Sequence, residues 1–308
     1  MNKGYEVIPK NGAKNPPIKH PVQLFSERSL EDWNLIIEPQ TKLFDLKFRE
    51  IVRYKDLMIL FVRRDIVTVY KQTILGPLWF FIQPILTTLV FTVIFGNVAE
   101  IPTDGLPPYL FYLAGVIVWN YFADCLKMTS DVFTKNQNIF GKVYFPRVVV
   151  PLSITISNLI KFGIQLLLFF GFCIYFYFQG TDIELNIEVV YFPLLVILMA
   201  LLSLGFGMVI SSMTSKYRDL TFLVSFGVQL FMYATPVVYP ASMVQRKWEF
   251  WLWLNPMTSM VEAFKYMFLG KGQFDWFWLG YTAIVTIIVF FVGLAIFNRT
   301  EKNFMDTV

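Results

Sequence analysis

Any chemistry would need a reactive constellation, and the 308-residue chain offers few groups from which to build one. His20 is the sole histidine and lies in a Pro-rich stretch, where a solvated surface residue is the expectation, so metal chemistry based on His and Cys is excluded. Cys125 and Cys173 fall inside apolar segments, toward opposite ends of neighbouring ones, and neither a disulfide framework nor a redox role is expected. A Gly-Lys pair occurs twice, but Gly141-Lys142 is followed by Val143 and Gly270-Lys271 by Gly272. Neither completes the phosphate-cradling loop of a nucleotide-binding protein. No cofactor is expected to bind the chain directly, and no nucleic-acid partner is expected.

The ionisable residues that sit in apolar surroundings are the next candidates, because a charge there must have a reason. Asp124 and Lys127 stand one helical turn apart, which favours a local ion pair with Lys127 snorkelling to the interface. Lys161 shares a helical stripe with Ser157, Asn158 and Gln165, and a polar helix–helix contact or a pore lining would each account for it. A proton relay would want carboxylates near mid-bilayer, and almost none are there. Aromatic residues reach 18 % of the chain and gather at the ends of apolar segments. Most fit an interfacial belt of Trp and Tyr. A minority could stack on sugar rings, and Tyr233, Tyr239, Trp251 and Trp253 are the choices for such a lining, with Pro236 and Asn255-Pro256 supplying bends.

These residues are positioned by an all-α integral membrane protein. Apolar residues make up 56 % and charged residues 16 %, against roughly 45–50 % and 25 % in soluble domains. Six stretches have bilayer length: roughly Ile74 to Val98, Tyr109 to Met128, Val148 to Phe178, Val189 to Met213, Leu220 to Tyr239 and Trp276 to Phe297. Lys135, Lys142, Arg147, Lys216, Arg218, Arg299 and Lys302 lie between alternate spans or after the last one. The other connections, Ala99 to Pro108 and Gln179 to Glu188, have no Lys or Arg, so both termini are placed in the cytoplasm. Ahead of the first span, Ile59, Val62, Ile66, Val69 and Tyr70 share one helical face. Arg64, Asp65, Thr68, Lys71 and Gln72 share the other, the pattern of a helix lying on a membrane. Gly76-Pro77 then lets the chain turn into the bilayer. The stretch Pro240 to Asp275 carries Arg246, Lys247, Lys265 and Lys271 and is divided by Asn255-Pro256 into halves too short to cross. It reads as two re-entrant or interfacial helices, Met243 to Leu254 and Met257 to Leu269, because a seventh span would strand Arg299 and Lys302 on the wrong side. The expected organisation is a cytoplasmic extension over 1–42, an interface-helix region over 43–73, a six-span domain over 74–299 with outer-mouth helices within 240–275, and a cytoplasmic tail over 300–308.

From about Leu43 onward the chain resembles the membrane-spanning permease subunits of polysaccharide-exporting ABC transporters, which include O-antigen, capsule and teichoic-acid exporters. The resemblance rests on Arg63-Arg64-Asp65 with Tyr70-Lys71-Gln72-Thr73-Ile74-Leu75-Gly76-Pro77-Leu78-Trp79, and on Asn138-Ile139-Phe140-Gly141-Lys142-Val143-Tyr144-Phe145-Pro146-Arg147. Further support comes from Tyr217-Arg218-Asp219-Leu220, Thr235-Pro236-Val237-Val238-Tyr239-Pro240, Asn255-Pro256-Met257 with Glu262, and the tail residues Phe297, Arg299, Glu301, Phe304 and Asp306. Lys265 stands where relatives often have Arg, which keeps the charge and loses the forked donor.

The resemblance implies a homodimer in the bacterial cytoplasmic membrane that encloses a channel and binds two copies of a separate ATP-binding cassette ATPase, where Mg-ATP is held. It implies that Arg63, Arg64, Asp65, Lys142, Tyr144, Arg147, Tyr217, Arg218 and Asp219 serve coupling to that ATPase. Lys161, Tyr233, Tyr239, Trp251, Trp253, Asn255 and Pro256 are the expected channel and gate residues. The expected cargo is a polyprenyl-linked polysaccharide, O-antigen type foremost, with membrane lipids around the spans. Two rival readings are a permease for drugs or other small hydrophobic cargo and an integral membrane glycan-modifying transferase. The first would not predict the loop before Arg147; the second would need acidic or His clusters on loops, where only scattered carboxylates occur.

Overall fold

The computed structural model describes residues 48–71, 74–143 and 145–304, and among these every regular element is helical. The expectations for residues 1–42, Gln72-Thr73, Tyr144 and the last four residues fall outside the described residues. A short helix α1 (Phe48–Arg53) leads into α2 (Lys55–Lys71). Gly76 then adopts φ 46°, a backbone that a side chain would strain, and a single 3-10 turn, Gly76–Leu78, hands the chain to α3 (Trp79–Phe91). A π-helical stretch, Thr92–Val98, extends α3. Next come α4 (Pro108–Ser130), the single turns α5 (Val132–Lys135) and α6 (Gln137–Phe140), and α7 (Val149–Phe178). The remaining α-helices among the described residues are α8 (Phe192–Thr214), α9 (Leu220–Tyr233), α10 (Arg246–Leu254), α11 (Pro256–Leu269) and α12 (Trp276–Phe304), with short 3-10 turns at Ile187–Tyr191 and Ala241–Met243.

Among the described residues five stretches are long and apolar enough to cross a bilayer: Gly76–Val98, Pro108–Ser130, Val149–Phe178, Ile187–Thr214 and Trp276–Glu301. The sixth expected span, Leu220 to Tyr239, is not one continuous helix. Its helical part, α9, has 14 residues, about 21 Å of rise against a hydrocarbon core of about 30 Å. The cause is local: Pro236 has no N–H to continue the helix, and its ring disfavours the helical conformation for Thr235 before it. Beyond Tyr233 the backbone is irregular, and Thr235, Pro236, Val237 and Val238 are buried.

The core is built around α4, which is buried at every position from Leu110 to Leu126 except Asn120 and Asp124. It touches α3, α7, α8, α9 and α11. The path of α9 and its continuation can be followed along it. Thr221 Oγ1 donates to Asp131 at 3.0 Å, Phe231 meets Trp119 at 5.9 Å between ring centres, and Ser242 Oγ donates to Asp104 at 2.8 Å. Between these points Val237 lies so close to Gly115 that a Cβ there would come within 3.0 Å of the Val237 carbonyl oxygen. The chain from Thr221 to Ser242 therefore runs antiparallel along the whole of α4. A second close crossing joins α8 to α12, where a Cβ on Gly205 would sit 2.9 Å from the Phe290 Cα, the small-residue contact typical of helices packed in lipid.

A separate apolar cluster closes the end of the molecule that carries α2. Phe61 lies 5.8 Å from Phe145, Phe140 is 5.8 Å from Phe145, and Phe133 stacks on Phe297 at 4.7 Å. The seam of α1 and α2 that packs on this cluster runs through Ile51, Tyr54, Met58 and Phe61, whereas Ile59 and Leu60 are exposed. The large ring of Phe61 anchors the seam, since it finds an aromatic pocket among α6, the loop before α7, and α7 itself.

Candidate functional site

Two of the expected groups of residues occupy opposite ends of the molecule, and a third lies between them. At the α2 end, Arg63, Arg64, Lys142, Tyr217, Arg218 and Asp219 are exposed. Arg64 donates twice to Asp65 Oδ1, at 2.9 and 2.8 Å, and its guanidinium lies over the Phe61 ring at 4.8 Å. The loop bearing Tyr217, Arg218 and Asp219 is braced on both sides: Thr214 Oγ1 donates to the Ser130 carbonyl at 2.6 Å, and Thr221 to Asp131. The loop thus offers an exposed, charged tip on a base fixed to the end of α4.

Arg147 is different. Its side chain is buried, Nη1 donates to the Glu301 main-chain carbonyl at 2.9 Å, and the guanidinium lies 5.3 Å from the Phe140 ring centre. Burial lowers the Arg147 pKa and the Glu301 carboxylate opposes that shift. Its position is that of an internal tie between the start of α7 and the end of α12, not of a surface contact.

In the middle of the molecule Asp124 is paired with Lys161 of α7, and this replaces the local pair expected with Lys127. Both side chains are removed from most of their solvent, which favours the cation from the facing helix. The ring of Phe80 lies 5.8 Å from Lys161 Nζ. Ser157, Asn158 and Gln165 are buried, and Asn158 Nδ2 reaches Met128 Sδ of α4 at 3.4 Å as well as the Ile154 carbonyl at 3.0 Å. The polar stripe is turned toward α4, the geometry of a helix–helix contact.

At the opposite end α10 and α11 form a hairpin around Asn255-Pro256. Asn255 Oδ1 accepts from the Met257 N–H at 3.0 Å, capping α11, and Pro256 takes the first helical position, where its missing N–H costs nothing. The same Asn255 donates through Nδ2 to Thr235 Oγ1 at 2.9 Å and to the Ala234 carbonyl at 3.3 Å. Of the four aromatic residues expected to line a path, Tyr233 and Trp251 are exposed and Tyr239 is half-buried. Trp253 is only 4 % exposed and stacks on Trp278 at 5.9 Å, so it anchors the hairpin instead of presenting a face to cargo.

Among the described residues the most deeply buried charged pair is Glu262 and Lys265, each with a side chain 1 % exposed; the sequence pointed to both without giving either a place in the site. Lys265 Nζ donates to the Pro236 carbonyl at 2.7 Å and lies 3.3 Å from Glu262 Oε1 and 3.7 Å from the centre of the Phe111 ring. Glu262 Oε2 accepts from the Gln273 N–H at 3.1 Å. Burial pushes the Lys265 pKa down and Glu262 beside it opposes the shift. The available signal was the Glu262–Lys265 spacing of three on an otherwise apolar helix.

A family model described as ABC-2 type transporter matches residues 56–269. The chain belongs to the ABC-2 type transporter family. In this ABC-2 transporter the matched range opens in the first turn of α2 and closes on the last residue of α11, so it takes in both ends just described. With five helices of membrane-crossing length among the described residues, it is a multi-pass membrane protein. The chain is 29 % identical over 253 residues to the O-antigen export system permease protein RfbA of Klebsiella pneumoniae, covering 82 % of this chain and 94 % of that one. It is 28 % identical to the protein of the same name from Myxococcus xanthus, over 84 % and 98 %. The polysialic acid transport protein KpsM of Escherichia coli is more distant, at 21 % over 79 % and 93 %.

Proposed function

We propose that this ABC-2 transporter is the channel-forming permease subunit of an ATP-driven exporter that carries a lipid-linked polysaccharide of O-antigen type across the bacterial cytoplasmic membrane. The observation that carries the reading is the similarity to O-antigen export permeases, which extends over 94 % of the relative instead of a single motif. The lower identity to the polysialic acid relative favours O-antigen over capsule cargo.

The working assembly is a homodimer with two copies of an ATPase that holds Mg-ATP. The α2 end is its docking side: positive charge at Lys135, Lys142, Lys216, Arg218 and Arg299 puts this end in the cytoplasm. The braced loop at Arg218 and Asp219 suits coupling, because a push on its tip passes through Thr214 and Thr221 into α4. The sixth crossing is completed by α9 together with the irregular stretch 234–240, which puts the hairpin at the outer face and both termini inside. Irregular backbone at that depth is acceptable only where protein or water satisfies it, and α4 and α11 supply that cover.

The test is reconstitution. Vesicles containing the chain and its ATPase should move a lipid-linked glycan only with Mg-ATP. Glycan transfer that does not depend on ATP, or no transfer when both subunits are folded and assembled, would remove the reading.

A further inference from the structure

Pro236 and Pro240 stand four residues apart. In an α-helix the N–H of residue 240 would satisfy the carbonyl of residue 236, and proline has no N–H to give. A helical continuation of α9 would leave that carbonyl orphaned at a depth where no water replaces the lost bond. The structure meets this deficit with side chains. Asn255 donates to the Ala234 carbonyl, and the Lys265 ammonium donates to the Pro236 carbonyl at 2.7 Å.

A buried ammonium is a costly way to supply one hydrogen bond, since an apolar replacement of a buried pair is often neutral or stabilising. Its placement gives it a property that a backbone donor lacks. Glu262 and Lys265 lie on the same helix, three residues apart. If α11 moves away from the irregular segment, the neutralising carboxylate travels with the lysine. The bond to Pro236 is broken together with the contact on Phe111 and the bonds from Asn255 to Ala234 and Thr235, but no uncompensated charge is left behind. The flexible four-carbon stem of lysine also tolerates a change of acceptor.

We propose that Lys265 is a positioning residue for export: its bond to the Pro236 carbonyl latches residues 234–240 onto α11 and α4, holding the hairpin end closed until α11 is displaced. The link to export rests on the function proposed above, whereas the latch itself does not, and the two can fail separately.

The experiment uses the full chain with its ATPase in lipid vesicles, with Cys125 and Cys173 replaced and Val238→Cys as a reporter. Val238 is buried in the latched segment. Without ATP or glycan, Lys265→Met should accelerate labelling of the reporter by a small thiol reagent roughly tenfold or more, as expected for a lost bond to a charged donor. Lys265→Arg should restore slow labelling, because it keeps a charged donor within reach. Labelling by Lys265→Met at the unaltered rate, or Lys265→Arg as fast as Lys265→Met, would overturn the latch. Should Lys265→Met fail to insert, the chain with native Lys265 decides the matter: ATP turnover with glycan should accelerate labelling of the reporter, and a rate indifferent to turnover would overturn the proposal. A latch that responds to Lys265→Met in vesicles that move no glycan would leave the latch standing and count against the cargo instead.

Discussion

Arg147 Nη1 donates to the main-chain carbonyl of Glu301 at 2.9 Å, tying the first turn before α7 to the end of α12 across 154 residues of sequence. Because the side chain is buried and its guanidinium also lies over Phe140, removing it takes from the Glu301 carbonyl a charged donor and from the Glu301 carboxylate a nearby positive charge. Arg147→Ala should lower stability by about 1.5–3 kcal/mol, the range for hydrogen bonds to charged groups. Arg147→Lys should recover only part of this, since the fork is lost. Thermal unfolding in detergent checks both. A large loss of ATPase binding with unchanged stability would instead make Arg147 a contact residue.

Lys161 and Asp124 should behave as a coupled pair. Single neutral replacements, Lys161→Met or Asp124→Asn, should each destabilise the protein. The double replacement should cost less than the sum, with a coupling energy of about 0.5–3 kcal/mol. Additive effects would show that the two groups do not sense each other.

The braced loop makes a different prediction. Arg218→Glu should reduce glycan export and ATPase stimulation while protein level and oligomer size stay normal, because Arg218 is exposed and its base is held by Thr214 and Thr221. Normal export in this variant would rule out a contact at that tip.

Trp253 and Trp251 separate packing from lining. Trp253→Ala should lower stability by about 3–5 kcal/mol, as for other buried tryptophans. Trp251→Ala, at an exposed position, should leave stability nearly unchanged. A stability loss at Trp251 equal to that at Trp253 would mean that the hairpin packs differently from the stack on Trp278.

Five of the spans were legible because a run of about 20 apolar residues has few other uses. The sixth misled for the same reason: hydropathy registers Leu220 to Tyr239 as one segment and is blind to the helix stop at Thr235-Pro236. The stripe of Ile59, Val62 and Ile66 on α2 was visible in the sequence, whereas the buried seam at Phe61 was not, because it depends on rings contributed by Phe140 and Phe145 from elsewhere in the chain. Asp124 had a partner visible at short range in Lys127 and a real one in Lys161, 37 residues away. Local spacing can propose pairs, but only packing selects among them. The charged tip at Arg218 was legible in the sequence, since a short basic loop between two apolar segments has nowhere to go but the surface.

Topology can be tested with two cysteines. In a background lacking Cys125 and Cys173, Ser242→Cys should react with an impermeant thiol reagent from outside the cell, and Ser215→Cys only after the membrane is opened. The reverse pattern would invert the assignment of both ends.

The central claim is that this ABC-2 transporter exports a lipid-linked polysaccharide, and its most direct measurement is the location of that glycan in cells that lack the chain. Deletion should trap lipid-linked polysaccharide on the cytoplasmic side and strip it from the cell surface, and the full chain supplied in trans should restore surface glycan. Surface polysaccharide at normal level and length in the deletion strain, with no internal build-up, would contradict the account.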